Sequence, residues 1–297
     1  GGAVATADHL DSLTHDSWVG GVVLGEWPAV DERGRPFAWF VWTGPNEMPP
    51  YLQLCIDTFR RRAAAAFHVR LVRHHHLEEL LGEGLHAAYE LLSYVHRADY
   101  LRCELLHAYG GLYCDCDTIC VADLTAAIDQ LGSSSAVLVS QPSMIYDAGI
   151  NTALCRRDST FTRCWRASLH ARLDARLSAL RAFRSHSNLD PTEDALGWNE
   201  VLRDLVVPLC AALDDAAPRA ISWSLCAYNW NPERVAGDEW GMSPGFDPLA
   251  WSESTEPELA PGLQLVVLNN NQYGQRLKRA TREEVLQSAS VLARWLT

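Results

Sequence analysis

The chain has 297 residues, of which 48% are hydrophobic, 21% charged and 9% aromatic, with a formal net charge of −12. This composition excludes a disordered chain and is ample for a large core, in one domain or two fused halves. The acidic balance argues against non-specific nucleic-acid binding, which needs clustered Lys and Arg, but leaves room for a local basic pocket for phosphates.

Residues 1–35 are polar and mixed, with Trp18 and Trp27, and read as an N-terminal extension ahead of a single domain over 36–297. Phe37 to Trp42 is a continuous apolar run that stops at Gly44-Pro45, the pattern of a buried strand ending in a loop. Tyr51 to Ala66 places Leu52, Ile56, Phe59 and Ala63 at helical spacing, with Arg60-Arg61-Arg62 as a solvated face. Phe67 to Val72 suits a strand, so the opening is strand, helix, strand, as in a parallel α/β sheet. Helical material follows to Tyr109, then a strand over Leu112 to Cys116, a helix over Ala122 to Leu131 and a buried strand over Ala136 to Ser140.

Phe161 to Phe183 and Asn199 to Leu213 read as helices. Ile221 to Pro261, rich in Pro, Gly and Trp, reads as loop. Leu263 to Leu268 reads as a late strand. Thr281 to Leu296 reads as a terminal helix opened by Thr281 and Glu284 in capping-box spacing. The nine cysteines are an odd number in a long chain, which disfavours a disulfide framework and favours a reducing, cytoplasmic compartment. No signal-type leader and no apolar run near the roughly 20 residues of a membrane span is visible.

Asp99 to Asp117, DYLRCELLHAYGGLYCDCD, is the densest stretch. Leu101, Leu105 and Ala108 share a helical stripe, and Asp99 and Arg102 are surface neighbours three residues apart. Gly110 and Gly111 end the helix, since glycine tolerates the left-handed conformation just past a C-terminus. On a continuing strand, residues 113, 115 and 117 would point the same way. Paired carboxylates suit a hard divalent cation, Mg²⁺ or Mn²⁺, with a substrate phosphate behind it. An isolated Asp-x-Asp is common, and alone it reads equally as a solvated turn.

The whole stretch resembles the DXD-containing sugar transferases, a glycosyltransferase family 32-like group related to the catalytic domains of large clostridial glucosylating toxins. The family pattern is met by Asp99, Arg102, Leu106, Gly110, Gly111, Tyr113, Asp115 and Asp117, with Cys114 and Cys116 as departures between the acids. Upstream, Phe40 to Pro45 with Pro49-Pro50 looks like the family's opening strand and loop. The resemblance is firm over about residues 37–120 and fades beyond 200.

The resemblance implies an α/β fold with a GT-A-like, Rossmann-like nucleotide-sugar-binding sheet flanked by helices. The donor half would lie over about 36–150, with a mainly helical, loop-rich acceptor half over 151–297. It implies a metal-dependent, hexosyltransferase-type glycosyltransferase using Mn²⁺ or Mg²⁺ and a nucleotide-sugar donor, foremost a UDP-sugar, with retention of anomeric configuration. Asp117 would bind the metal, and Asp115 would assist through water or by holding the ribose. Asp99 and Arg102 would orient donor hydroxyls and phosphate. Trp42, beside Thr43, would stack on the nucleobase, and Tyr113 and Asn151 would line the donor site. A third metal ligand would come from Asn269 to Asn271, Asn271 being the residue named. The segment around Trp240-Gly241 would be a lid.

The acceptor stays open between a glycan, a lipid-linked sugar, a small molecule and a protein side chain. The toxin likeness admits a secreted effector acting in a host cytosol. Two other functions stay open: a nucleotide-sugar-binding protein without transferase activity, and a metal-dependent phosphohydrolase or nucleotidyltransferase. His74-His75-His76 reads as an exposed run, and the cysteine spacing after Cys103 is not that of a zinc ribbon.

Overall fold

The computed structural model describes residues 21–140, 148–186, 192–216, 221–225, 227–228, 264–268, 275–288 and 290–297. Strands β1 (Phe37–Val41), β2 (His68–Val72), β3 (Gly111–Cys114), β5 (Ala136–Ser140), β6 (Ala148–Cys155) and β7 (Ile221–Leu225) form a six-stranded sheet in the order β2-β1-β3-β6-β5-β7. The strands β4 (Thr118–Cys120), β8 (Ala227–Tyr228) and β9 (Leu265–Val267) form a three-stranded sheet in the order β4-β9-β8.

The expected α/β architecture is present: a central sheet flanked by helices. The main sheet, however, is mixed rather than parallel. β1 is parallel to β2 and β3, β6 is antiparallel to both its neighbours, and β5 is parallel to β7. β6 and β7 share this sheet with β1 to β3, so the sheet draws on residues either side of 150.

Both sheet faces are covered, which is why β1 is apolar throughout. Its side chains alternate between two cores, as strand geometry requires. Ala38 and Phe40 join Leu112, Cys114 and Leu154 in one. Trp39 and Val41 join Tyr113 and Ala153 in the other. The first core is closed by α1 (Pro50–Arg62) and by three short helices near the end of the chain: α7 (Gln275–Arg279), α8 (Arg282–Gln287) and α9 (Val291–Leu296). The second is closed by α3 (Tyr94–Ala108), α5 (Thr160–His186) and α6 (Arg203–Ala216). Two further helices, α2 (Leu77–Leu81) and α4 (Thr125–Leu131), complete the described set.

Several local expectations change. Residues 148–155, to which the sequence assigns no element, are strand β6. Ile221 onward opens with strands β7 and β8 rather than loop. The terminal helix is two helices broken around Ser288 and Ser290, although Thr281 and Glu284 do form the capping box. Arg60 and Arg61 are exposed, as on a solvated face, and Arg62 is half-buried, but Arg61 and Arg62 also have partners within the fold. They reach the carbonyls of Leu296 and Trp295 at the last turn of α9, where a cation offsets the unpaired carbonyls of a helix C-terminus. Arg62 also donates to the Cys120 carbonyl at 2.8 Å.

Candidate donor site

Helix α3 carries two of the expected residues and is anchored at both ends. Ser93 caps its start, accepting from the His96 N–H at 3.3 Å. Its stop works as the two glycines suggest: Gly110 and Gly111 have φ of 64° and 92°. A side chain would not fit at either. A Cβ on Gly111 would lie 2.4 Å from the Phe37 carbonyl oxygen, and one on Gly110 would lie 2.8 Å from that of Cys155. The Trp39 indole N–H donates to the Gly110 carbonyl at 2.8 Å, pinning the reversal to β1.

The strand after the reversal is shorter than the sequence suggests. β3 ends at Cys114, and the Thr118 N–H returns to the Asp115 carbonyl at 3.0 Å, so the two acids straddle a turn. They do not sit on one face of one strand. The turn is held from both sides: the Asp115 N–H donates to the Asn151 carbonyl at 2.8 Å, and the Leu268 N–H donates to the Asp117 carbonyl at 3.0 Å. Thr58 of α1 supports the second arm, accepting from the Cys120 N–H at 2.8 Å and donating to the Cys55 carbonyl at 2.6 Å.

Arg102 ties the site together. One guanidinium nitrogen lies 2.7 Å from Asp115 and 3.2 Å from Asp99, and the group stacks 4.4 Å from the centre of the Tyr113 ring. Burial works against the guanidinium charge, but Asp115, Tyr113 and Asp99 outweigh it and hold the group charged, above its ordinary range. Burial pushes Asp99 up to about 6; Arg102 opposes this and the Asp115 charge adds to it. The Asp115 carboxyl is also held above its ordinary value by its surroundings, against Arg102 and the Tyr113 hydroxyl. That upward push is tempered by solvent, which reaches 35% of the Asp115 side chain. Asp99 and Asp115 thus share one cation, and Asp117 adds a third, buried carboxylate at the same turn.

The structure brings Asp99, Arg102, Tyr113, Asp115, Asp117 and Asn151 together. Tyr113 is buried beneath Arg102 and acts as its platform. Asn151 is buried opposite Asp115, and its Oδ1 makes no hydrogen bond among the described residues. Trp42 follows β1, half-buried, with its indole N–H on the Asn46 carbonyl at 2.8 Å. Thr43 lies beside the Tyr89 phenol. Asn269, Asn270, Asn271, Trp240, Gly241 and Asp147 lie outside the described residues.

A hard divalent cation fits this donor chemistry. The carboxylates of Asp115 and Asp117 and the Asn151 Oδ1 are hard oxygen donors of the kind such an ion takes. Among the described residues, no group of three or more His, Cys, Asp or Glu side chains converges to hold a metal. Such an ion would need oxygens from elsewhere, as Mg²⁺ commonly takes from a substrate phosphate.

Sequence reasoning passed over one buried pair beside this cluster. His96, three residues before Asp99 on α3, meets Asp194 at 2.7 Å. The Asp194 carboxylate also accepts the Ser93 and Leu196 backbone N–H groups. Nothing in the sequence links positions so far apart.

Residues 47–138 match the family model described as a glycosyltransferase sugar-binding region containing a DXD motif. The match covers less than half of the chain and spans Asp99 to Asp117. In this region the chain resembles the DXD glycosyltransferases, and sugar transfer is the activity the match supports. Among solved structures, the PaToxG glycosyltransferase is similar with a TM-score of 0.36 and 13% identity, over 71% of this chain and 76% of that one. No curated protein matches the chain in sequence.

Proposed function

We propose that the chain transfers a hexose from a nucleotide-sugar donor, foremost a UDP-sugar, to an acceptor, with a divalent cation at Asp115 and Asp117. The observation that carries this is the Arg102 bridge between Asp99 and Asp115, at a turn that also presents Asp117. Such a turn can meet a sugar diphosphate with both signs of charge.

In this reading the GT-A-like strand ends hold the donor, with Trp42 and Thr43 at the base. Arg102, fixed by Tyr113 and two carboxylates, presents its remaining N–H groups to phosphate or sugar oxygens. Asp99 is held as a hydrogen-bonding partner for donor hydroxyls. Its elevated carboxyl, near 6, lets it donate or accept near neutral pH. A cation at the acids would offset the diphosphate charge and ease its departure. Among the described residues no carboxylate stands out as a covalent nucleophile, and retention is assigned to front-face displacement.

The test is product analysis with UDP-, GDP- and TDP-sugars, with and without Mn²⁺. Metal-dependent release of free nucleoside diphosphate, lost in the Asp115→Ala/Asp117→Ala pair, supports transfer. Release of sugar 1-phosphate, with the nucleoside monophosphate freed by water or passed to another group, would instead identify a phosphohydrolase or nucleotidyltransferase. Donor binding without turnover, in trials spanning glycan, small-molecule and protein acceptors, would identify a binding protein.

A further inference from the structure

Beside the donor residues, a groove of about 230 Å³ runs between the first turn of α3 and the segment 192–198. Ser93, Val95 and His96 line one wall; Phe183, Glu193 and Trp198 line the others. Trp198 is 62% exposed, the most exposed large apolar side chain among the described residues, and Val95 is exposed beside it. The indole and Val95 together give the groove an apolar surface on which a ligand ring can pack.

The segment bearing Trp198 is not loose. Asp194 fastens it to α3 through His96 and the Ser93 backbone. The His96 Nε2, shut away from solvent, lies against the Trp198 backbone, so the His96–Asp194 pair fixes the segment on both sides.

The chemistry of the walls narrows the ligand. No Lys or Arg lines the groove, and its exposed charge is the Glu193 carboxylate, so a phosphate or other anion is disfavoured. The volume is below the roughly 300–1,000 Å³ of pockets that enclose drug-sized ligands, so it suits one small ring. A flat indole beside a carboxylate matches a sugar ring, which has an apolar C–H face and a rim of hydroxyls. The place is also right. His96 is three residues, about 4.5 Å along the helix axis, from Asp99, and the charges of His96 and Asp194 are both felt at Asp99.

We propose that this groove is the acceptor subsite and that it takes a neutral sugar ring, stacked on Trp198 with Glu193 accepting from its hydroxyls. The assignment rests on the sugar-transfer reading and names its acceptor class as carbohydrate rather than protein side chain. Saturation-transfer NMR tests it, using methyl glycosides of glucose, galactose, mannose and N-acetylglucosamine, with calorimetry of UDP, GDP and TDP, each with Mn²⁺, on the same protein. N-acetylated serinamide, threoninamide and tyrosinamide form the second arm.

The expected result is saturation transfer to at least one glycoside. Affinity for it should weaken roughly tenfold in Trp198→Ala and to a lesser degree in Glu193→Gln, as loss of a stacked ring and one hydrogen bond predicts. Nucleoside diphosphate binding with no glycoside signal, or a signal from an amino-acid amide alone, overturns the groove assignment. So does a glycoside signal unchanged in both variants. Binding of none of UDP, GDP and TDP, each titrated with Mn²⁺ into the wild-type protein, overturns the sugar-transfer reading, and the acceptor assignment with it. A Trp198→Ala protein whose nucleoside diphosphate and glycoside affinities fall together has lost local structure instead, and that also overturns the subsite.

Discussion

Arg102 is the residue on which the site's electrostatics turn. Replacing it with Met leaves Asp99 and Asp115 facing each other without their shared cation. Breaking a buried pair in this way costs about 3–5 kcal/mol, with the lower figure fitting because Asp115 is partly solvated. Thermal unfolding of Arg102→Met should fall accordingly, and Lys at this position should not restore donor affinity, since a point charge cannot span two carboxylates as a guanidinium does. The pair His96–Asp194 makes a prediction against pH. Burial disfavours the imidazolium, but the Asp194 hydrogen bond and charge outweigh it and raise His96 above its ordinary 6.5. Burial also opposes Asp194 ionisation, yet His96 and two backbone N–H groups bring it to about 2. The raised histidine stabilises the fold below about 6.5, and this is lost as pH climbs through its folded value. The lowered aspartate stabilises above about 4, and this is lost as pH falls towards 2. Melting temperatures of wild type and Asp194→Asn should therefore differ most between about pH 4 and 6.5; the gap should close as pH falls towards 2 and should narrow, without vanishing, as pH rises above the folded value of His96, because the backbone N–H groups still hold the Asp194 carboxylate. Of these residues, Asp99, Arg102 and the acids were legible from spacing, because a helix and a turn bring near neighbours together. His96 and Asp194 were not, because their meeting is a property of the packed chain.

At the scale of elements, the reversal from α3 into β3 does most to place the site. Its two glycines could be read directly, as could the capping box of α8, because both are local backbone chemistry. Gly111→Ala should cost about 1–3 kcal/mol for the left-handed backbone alone, and more for the 2.4 Å approach to the Phe37 carbonyl. At about 2–4 °C per kcal/mol for a chain near this size, melting should drop by several degrees. Thr58→Val keeps the side-chain shape but removes the hydroxyl that links α1 to β4. It should cost about 1–3 kcal/mol for the buried Cys120 N–H left unsatisfied, and loosen the turn carrying Asp117. The apparent Mn²⁺ affinity for UDP binding should weaken with no acid changed. Strand β6 escaped sequence reading because Gly149 looks like a turn former. Its partners β3 and β5, not its composition, make it a strand. The shortness of β3 was equally hidden, since the turn at Asp115 is held by backbone bonds from Asn151 and Leu268.

At the scale of the molecule, the mixed sheet joins regions that the sequence seemed to separate. Strand direction is not a local property, so an opening of strand, helix and strand suggested a parallel sheet that β6 then interrupts. Whole-chain packing also explains the arginines of α1, whose carbonyl partners on α9 lie more than 230 residues away. The small sheet offers a matching test. Val266, fully buried in β9, pairs with Ile119 of β4 and Ala227 of β8. Val266→Ala should cost about 2 kcal/mol in stability, and should lower UDP affinity in Mn²⁺ without altering a residue of the donor site. Unchanged UDP affinity would show that the turn holds its shape without support from this sheet.

The Leu268 bond to the Asp117 carbonyl also has a meaning in time. A ribosome adding about 5–20 residues per second needs about 8–30 s to travel from Asp117 to Leu268. For that interval the acid turn exists on a growing chain without one of the two clasps that shape it. The nascent polypeptide would carry its acids early and gain a competent site only once Leu268 has been added, so a fragment released before then would be inert.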